Sequence, residues 1–253
     1  MNEALITAIL EQIQREVGIV LSRQSDRDRI GRYLENGGAV PDKSRPIPKE
    51  LIELITTNET YFERESHHFD RLIDEILPEL DTKESSMPIR ILSAPCSSGE
   101  EVYTLALRIC TLSRIGKRPV EIIGIDISEE MIEKARKGIY SGRSVHAVDK
   151  TVLERYFKST ENGYQVVPCP EIKIRFVTGN VFQDTLWKEL GIFDVIFSRN
   201  MMIYFDAEKN KELLERFREH LKGFLIIGHA DDHIGARELF TPLRSQRGII
   251  YHV

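Results

Sequence analysis

The stretch APCSSGEE at residues 94–101 is a turn of small side chains that closes on Gly99 and opens a helix with two carboxylates. Small residues let a ligand approach the backbone closely, and the start of a helix offers N–H groups without intrahelical partners. The stretch is not GxGxxG, and Glu100 with Glu101 would repel a pyrophosphate placed there. A nucleoside carrying a positive centre, such as S-adenosylmethionine, fits the pair better than a dinucleotide does. Taken alone, two acids at a helix start are more simply read as first-turn residues complementing the helix dipole. Asp126, at the end of VEIIGID, is the residue type that accepts hydrogen bonds from ribose hydroxyls at a strand end. Asn180 in VTGNVF could read an adenine edge, or could simply be a turn asparagine. In SRNMMIYFD the polar pair Arg199 and Asn200 interrupts an otherwise apolar stretch.

Residues 56–69, TTNETYFERESHHF, gather hydroxyls, an amide, an arginine, aromatics and two histidines. The simplest reading is a capped helix at a domain edge. His67 and His68 invite a metal, yet neighbours on a helix point about 100° apart, so one ion does not readily take both. His229 and His233 have i, i+4 spacing, with Asp231 and Asp232 between them, but lack the glutamate base and third ligand of a zinc motif. No metal is expected.

These residues need strand ends to hold them. IRILSA, VEIIGID, KIRFVTG, FDVIFS and GFLIIGH are short apolar runs separated by helical patterns, which implies right-handed βαβ units and a parallel sheet, with GIIYHV as one more strand. The helices between them run from Glu101 to Leu112, from Ser128 onward, and along AEKNKELLERFREHL. Ser128 is a good N-cap. Between Gly138 and Lys173 the pattern changes, and Gly163 stands between two short runs as in a hairpin, so a small β insertion is expected at about 141–173. Ahead of the sheet, Ile6, Ile9, Leu10, Ile13 and Val17 recur at helical spacing up to Gly18. A second helix carries Arg23, Arg27, Arg29 and Arg32, either a solvated face balanced by Asp26 and Asp28 or a docking surface. Pro41, Pro46 and Pro48 mark a linker, dividing a helical segment (1–48) from the main domain (49–253).

The chain of 253 residues is 41% apolar and 30% charged, enough for a large α/β domain and a small helical accessory. With a net charge of -5 and a pI near 5.9 it has no positive field for a phosphate backbone, so nucleic acid is not an expected partner. Cys96, Cys110 and Cys169 are odd in number and form no CxxC, which suits free thiols in a reducing compartment and a cytoplasmic protein. The first residues lack a signal-like apolar core, and no run is long enough to insert in a membrane. A monomer is the default expectation.

Taken together, TTNETYFERESHHF, LSAPCSSGEEVYTLAL, GIDISEEMIEKARKGIY, LERYF, GN at 179–180 and FDVIFSRNMMIYFD resemble the CheR-type chemotaxis receptor methyltransferases, in family order over most of residues 50–206. The first and last are specific to that family; the middle ones would suit many nucleoside-binding methyltransferases. The resemblance implies a Rossmann-like S-adenosylmethionine-dependent methyltransferase domain with a small N-terminal all-α domain and an inserted β subdomain able to bind a receptor tail. It implies glutamate O-methylation of methyl-accepting receptors, with S-adenosylhomocysteine as product. Carried over by position, cofactor contacts fall on Asn58, Thr60, Arg64, Glu101, Asp126, Asn180, Val181, Asn200 and Met201, with Arg64 and Tyr204 nearest the transferred methyl. The sequence departs from the family in a short N-terminal domain and in LKGFLIIGHADDH, where relatives carry a proline-glycine turn and a serine-glutamate pair after the histidine. A methyltransferase for another protein or a small molecule, or a non-catalytic S-adenosylmethionine sensor, are the competing readings.

Overall fold

The computed structural model describes residues 3–41, 46–81, 87–112 and 118–253. The expected proline linker therefore falls partly outside the described residues. Two amphipathic helices, α1 (Glu3–Val17) and α2 (Gln24–Glu35), open the chain, followed by α3 (Lys49–Ile55). Ile6, Ile9, Ile13 and Val17 of α1 close with Ile30 of α2 and with Leu51, Ile52 and Ile55 of α3 into one apolar cluster. The helical packing thus reaches residue 55, past the proline-based division. Gly18 ends α1 at φ 79°, donating its N–H to the Gln14 carbonyl.

One helical stretch then carries α4 (His67–Arg71), a π-turn (Leu72–Ile76) and α5 (Leu77–Asp81). The alternating units follow: β1 (Ile89–Ser93), α6 (Glu100–Leu112), β2 (Val120–Asp126) and α7 (Glu129–Lys137). The small sheet comes from β3 (Ile139–Tyr140), β4 (Phe157–Thr160) and β5 (Gly163–Val166), with α8 (Lys150–Tyr156) between its first two strands. The main sheet resumes with β6 (Ile172–Thr178), α9 (Asp184–Leu190), β7 (Phe193–Ser198), α10 (Ala207–His220), β8 (Leu221–Ile227), α11 (His233–Leu239), β9 (Thr241–Ser245) and β10 (Gly248–His252).

The main sheet runs β6-β2-β1-β7-β8-β10-β9, with β1, β2, β6, β7 and β8 parallel and the last two strands antiparallel. Successive side chains leave opposite faces. Ile91, Ile122, Val195 and Phe197 join α6, α7 and the α4–α5 stretch on one side, while Leu92, Ile123, Ile196 and Leu225 meet α9, α10 and α11 on the other. Both faces are covered, which is why the strands read as unbroken apolar runs rather than alternating ones. Strand order reverses between β1 and β7, so the loops after them splay apart and leave a crevice at their carboxyl ends.

The expectation of three free thiols is corrected. Cys110, on the last turn of α6, is disulfide-bonded to Cys169, just before β6, leaving only Cys96 free and buried. The two lie 59 residues apart in sequence, and the small sheet folds back between them to bring them together. Closing a loop of that length restricts the unfolded chain by about 4 kcal/mol in the entropic description. Cys169→Ser is expected to lower the urea midpoint measured without reductant and to leave it unchanged in excess dithiothreitol.

Candidate functional site

One cleft, partly open to solvent, lies at the sheet's carboxyl edge. Asn58, Thr60, Arg64, Glu101, Asp126, Asn180, Val181, Asn200, Met201 and Tyr204 all line it. Residues more than a hundred positions apart in the chain converge there because each follows a strand end or the loop laid across them.

Asp126 closes β2, where its neighbours turn away into α7. Its Oδ2 accepts from Ser97 N–H at 2.8 Å and its Oδ1 from Ser128 N–H at 2.9 Å, which ties the loop after β1 to the loop after β2. Burial pushes its carboxyl up to about 6, although the amide donors oppose the shift. Ser128 caps α7 by accepting from Met131 N–H at 3.0 Å, and its hydroxyl donates to Glu53 on α3 at 2.5 Å.

Glu101 and Glu100 have separated. Glu101 is partly buried on the wall of the cleft, accepting from Ser93 Oγ–H and from Arg199 Nη1, both at 2.8 Å. Glu100 is held by the hydroxyls of Ser98 and Ser144 and borders a second cleft beside the small sheet. The expected pair of carboxylates facing one ligand is thereby corrected: one acid faces elsewhere, because successive helical residues diverge, and the other is matched by an arginine. Burial still raises the Glu101 carboxyl above its ordinary range against the pull of Arg199.

Arg199 was the residue that sequence reasoning left unassigned. Buried at the end of β7, it pairs with Glu101, donates to the Arg64 carbonyl, stands 3.5 Å from Glu65 and lies over the Phe69 ring at 5.1 Å. It thus fastens the 56–69 segment to the sheet. That segment is not the capped helix anticipated. It is a chain of turns up to His67, with Glu63 and Glu65 at positive φ. The Arg64 guanidinium donates to the Glu59 carbonyl at 2.7 Å, shaping the loop that bounds the cleft.

His67 and His68 also differ from expectation. At the helix start the two rings turn together, 4.1 Å between centroids, and lie in one cluster with Glu65. Burial first, then Arg199, push His68 down to about 3, so it is neutral. A cation as near as Arg199 opposes a second one there. His229 precedes α11 rather than lying on it, and bonds Glu65, whereas His233 bonds the Tyr251 hydroxyl and the Gly228 carbonyl; they do not converge.

Asn180 borders the cleft, but its amide N–H₂ donates to the Glu16 carbonyl at 2.6 Å and its Oδ1 accepts from Phe182 N–H at 2.9 Å. It therefore closes a turn and binds the end of α1. The N-terminal segment continues over the cleft: Val17 and Ile19 line it, Ile19 bridges Phe205, and Val20 N–H donates to the Tyr204 carbonyl at 2.9 Å.

The cleft combines apolar walls with Asp126 at a strand end and glutamate and arginine matched in charge. That donor set fits a nucleoside with hydroxyls and a soft cationic sulfur, and lacks the ring of cations or amides that a pyrophosphate needs.

Residues 58–249 match the family model described as CheR methyltransferase, SAM binding domain. The chain belongs to the CheR methyltransferase family. A chemotaxis protein methyltransferase of Campylobacter jejuni is 37% identical over 214 residues, covering 82% of this chain and 76% of its own. Chemotaxis protein methyltransferase 2 of Vibrio cholerae is 34% identical over 80% of this chain and 72% of its own. Chemotaxis protein methyltransferase 1 of Pseudomonas aeruginosa is 31% identical over 94% of both. The CheR fold with S-adenosylmethionine as its cofactor is therefore that of this chain, and among the described residues no helix is long and apolar enough to cross a membrane.

The ionised Asp126 is the better acceptor for hydroxyl donors, and its raised value places protonation near pH 6. The Kd for S-adenosylhomocysteine, measured by calorimetry, should rise severalfold on going from pH 7 to pH 5, and this slope should flatten in Asp126→Asn.

Proposed function

We propose that this CheR-family enzyme moves the methyl group of S-adenosylmethionine onto glutamate side chains in the cytoplasmic methylation region of chemotaxis receptors, giving glutamate methyl esters and S-adenosylhomocysteine. The observation that carries this reading is the convergence on one cleft of every residue that the family pattern marks, Arg64 and Tyr204 included.

When bound, the cofactor supplies a methyl carbon attached to a positively charged sulfur, an electrophile that needs no acid to activate it. A glutamate titrates at about 4.3 in a model peptide, so at neutral pH the acceptor arrives ionised and no general base is required. Its carboxylate oxygen bonds to the methyl carbon while the carbon–sulfur bond breaks, and the electron pair stays on sulfur. The protein has to align these atoms and remove water from the carboxylate. Asp126 would hold the ribose, Asn200 and Met201 flank the cleft, and Tyr204 with Arg64 would border the place where carboxylate and methyl meet. Arg64 supplies a nearby positive charge that favours an acidic acceptor.

The receptor would reach this mouth past the arginine-bearing helix. Arg27 is engaged by Thr7 and Glu3, and Arg29 by Asp26 and the Leu54 carbonyl, so both serve the helical packing. Arg23 and Arg32 are exposed, and docking on an acidic receptor helix falls to them. The second cleft, lined by Tyr61, Arg143, Ser144 and His146, adjoins the first along residues 58–61 and offers the small sheet as a further contact for a receptor segment.

The test is transfer of radiolabelled methyl from S-adenosylmethionine to a purified receptor cytoplasmic fragment, followed by mild alkali. Label released as methanol, and lost on Glu→Ala changes in the receptor, is expected; tight cofactor binding without transfer would overturn the proposal. Tyr204→Phe should lower kcat about tenfold or more while leaving the Kd for S-adenosylhomocysteine within about twofold. Arg23→Glu with Arg32→Glu should raise KM for the receptor and spare cofactor binding.

A further inference from the structure

The segment Gly228–His233, which departs from the family pattern, holds two adjacent aspartates with different tasks. Asp232 caps α11, accepting from Ile234 and Gly235 N–H groups at 3.2 and 3.0 Å. Asp231 has no part in that cap. It is 6% exposed, and its carboxylate accepts from three backbone N–H groups: Oδ2 from Asn200 at 2.6 Å and Gly228 at 2.9 Å, Oδ1 from Met202 at 2.9 Å. Two of those donors belong to the loop after β7. Asn200 sits there at φ 58°, a left-handed conformation that a non-glycine residue holds only when its surroundings impose it. Gly228 leaves the space, since a Cβ there would stand 2.8 Å from Asp231 Oδ2 and 3.1 Å from the Asn200 nitrogen.

We infer that Asp231 is the positioning residue of the reaction loop: its carboxylate fixes the backbone of Asn200 and Met202, and through it the turn Met202–Tyr204 that carries Tyr204 to the cleft. Asp231 does not line the cleft itself, so it acts through the loop. One ionised acceptor with three amide donors is a charge-assisted arrangement that an amide cannot copy, because its NH₂ would face N–H groups. In Asp231→Asn the one remaining oxygen serves Asn200 and Gly228 only by turning the NH₂ onto the Met202 amide, so part of the loop backbone loses its acceptor and would have to move. His229, two residues earlier, bonds Glu65 at 2.9 Å, so the same segment also touches the loop on the opposite bank of the cleft.

The inference rests on the assignment of this cleft to methyl transfer, and the experiment separates the two. In the full chain, Asp231→Asn, Asp231→Glu, Tyr204→Phe and the double variant Asp231→Asn with Tyr204→Phe are compared in kcat, in Kd for S-adenosylhomocysteine and in Tm. Asp231→Asn should lose roughly a hundredfold in kcat, the order expected of a displacement near 1 Å, and bind the product less tightly. Asp231→Glu, which keeps the carboxylate, should recover most of both. The double variant should be no worse than Asp231→Asn alone within about twofold. Multiplying effects, or Asp231→Glu no better than Asp231→Asn at equal Tm, would overturn the inference. Hydrogen exchange of the unmodified protein needs no variant: the Asn200 and Met202 amides should exchange slowly, and fast exchange at both would sink the idea even if Asp231→Asn failed to fold. An inert Tyr204→Phe would remove Tyr204 from transfer, while a weakened product Kd and fast loop exchange in Asp231→Asn would still support the role of Asp231.

Discussion

The ion pair of buried Arg199 and partly buried Glu101 is the constraint on which the site depends. Two charges withdrawn from water carry a desolvation penalty that only close geometry offsets, and here the geometry is drawn from four parts of the chain. Ser93 on β1 and Arg199 after β7 grip Glu101 on α6, while Arg199 reaches across to Arg64 and Glu65. Removing either partner would leave the other's charge less well matched at the cleft wall, so the pair specifies one arrangement of the crevice more than it adds stability. Asp126 does similar work on the neighbouring strand, joining the loops after β1 and β2 through backbone donors.

That arrangement suits a reaction without proton transfer. At the cleft Asp126, Glu101 and Arg199 are held in structural bonds, and burial raises the Asp126 and Glu101 carboxyls. A transfer between a carboxylate and a sulfonium asks for alignment and dryness, and the cleft is built from groups that hold backbone in place.

Much of this was legible in the sequence because it depends on local pattern. Apolar runs alternating with helical periodicity mark the parallel sheet, and Ser128 and Gly18 mark the helix ends they form. Asp126 was readable as a site residue because a strand end dictates its place. What escaped depends on contacts remote in sequence. Arg199 looks like an ordinary strand end until Glu101, 98 positions earlier, is brought beside it. Asp231 looks like one of two helix-start acids until its carboxylate is seen under Asn200. The bonded cysteines lie 59 residues apart and β3 spans only two residues, so neither left a local signal.

The bridge between Ile19 and Phe205 bears on how far the chain is divisible. Family matching begins at residue 58, as if the helices before it were an appendage. Yet Val17 and Ile19 form part of the cleft wall, Glu16 receives Asn180, and Gln14 donates to Asp206 at the foot of α10. A chain begun at residue 58 would retain every strand of the sheet and lose one side of its ligand chamber. The leading helices and the methyltransferase sheet therefore share the wall of one chamber, and exchanging either for another's would require the seam at Ile19 and Phe205 to travel with it.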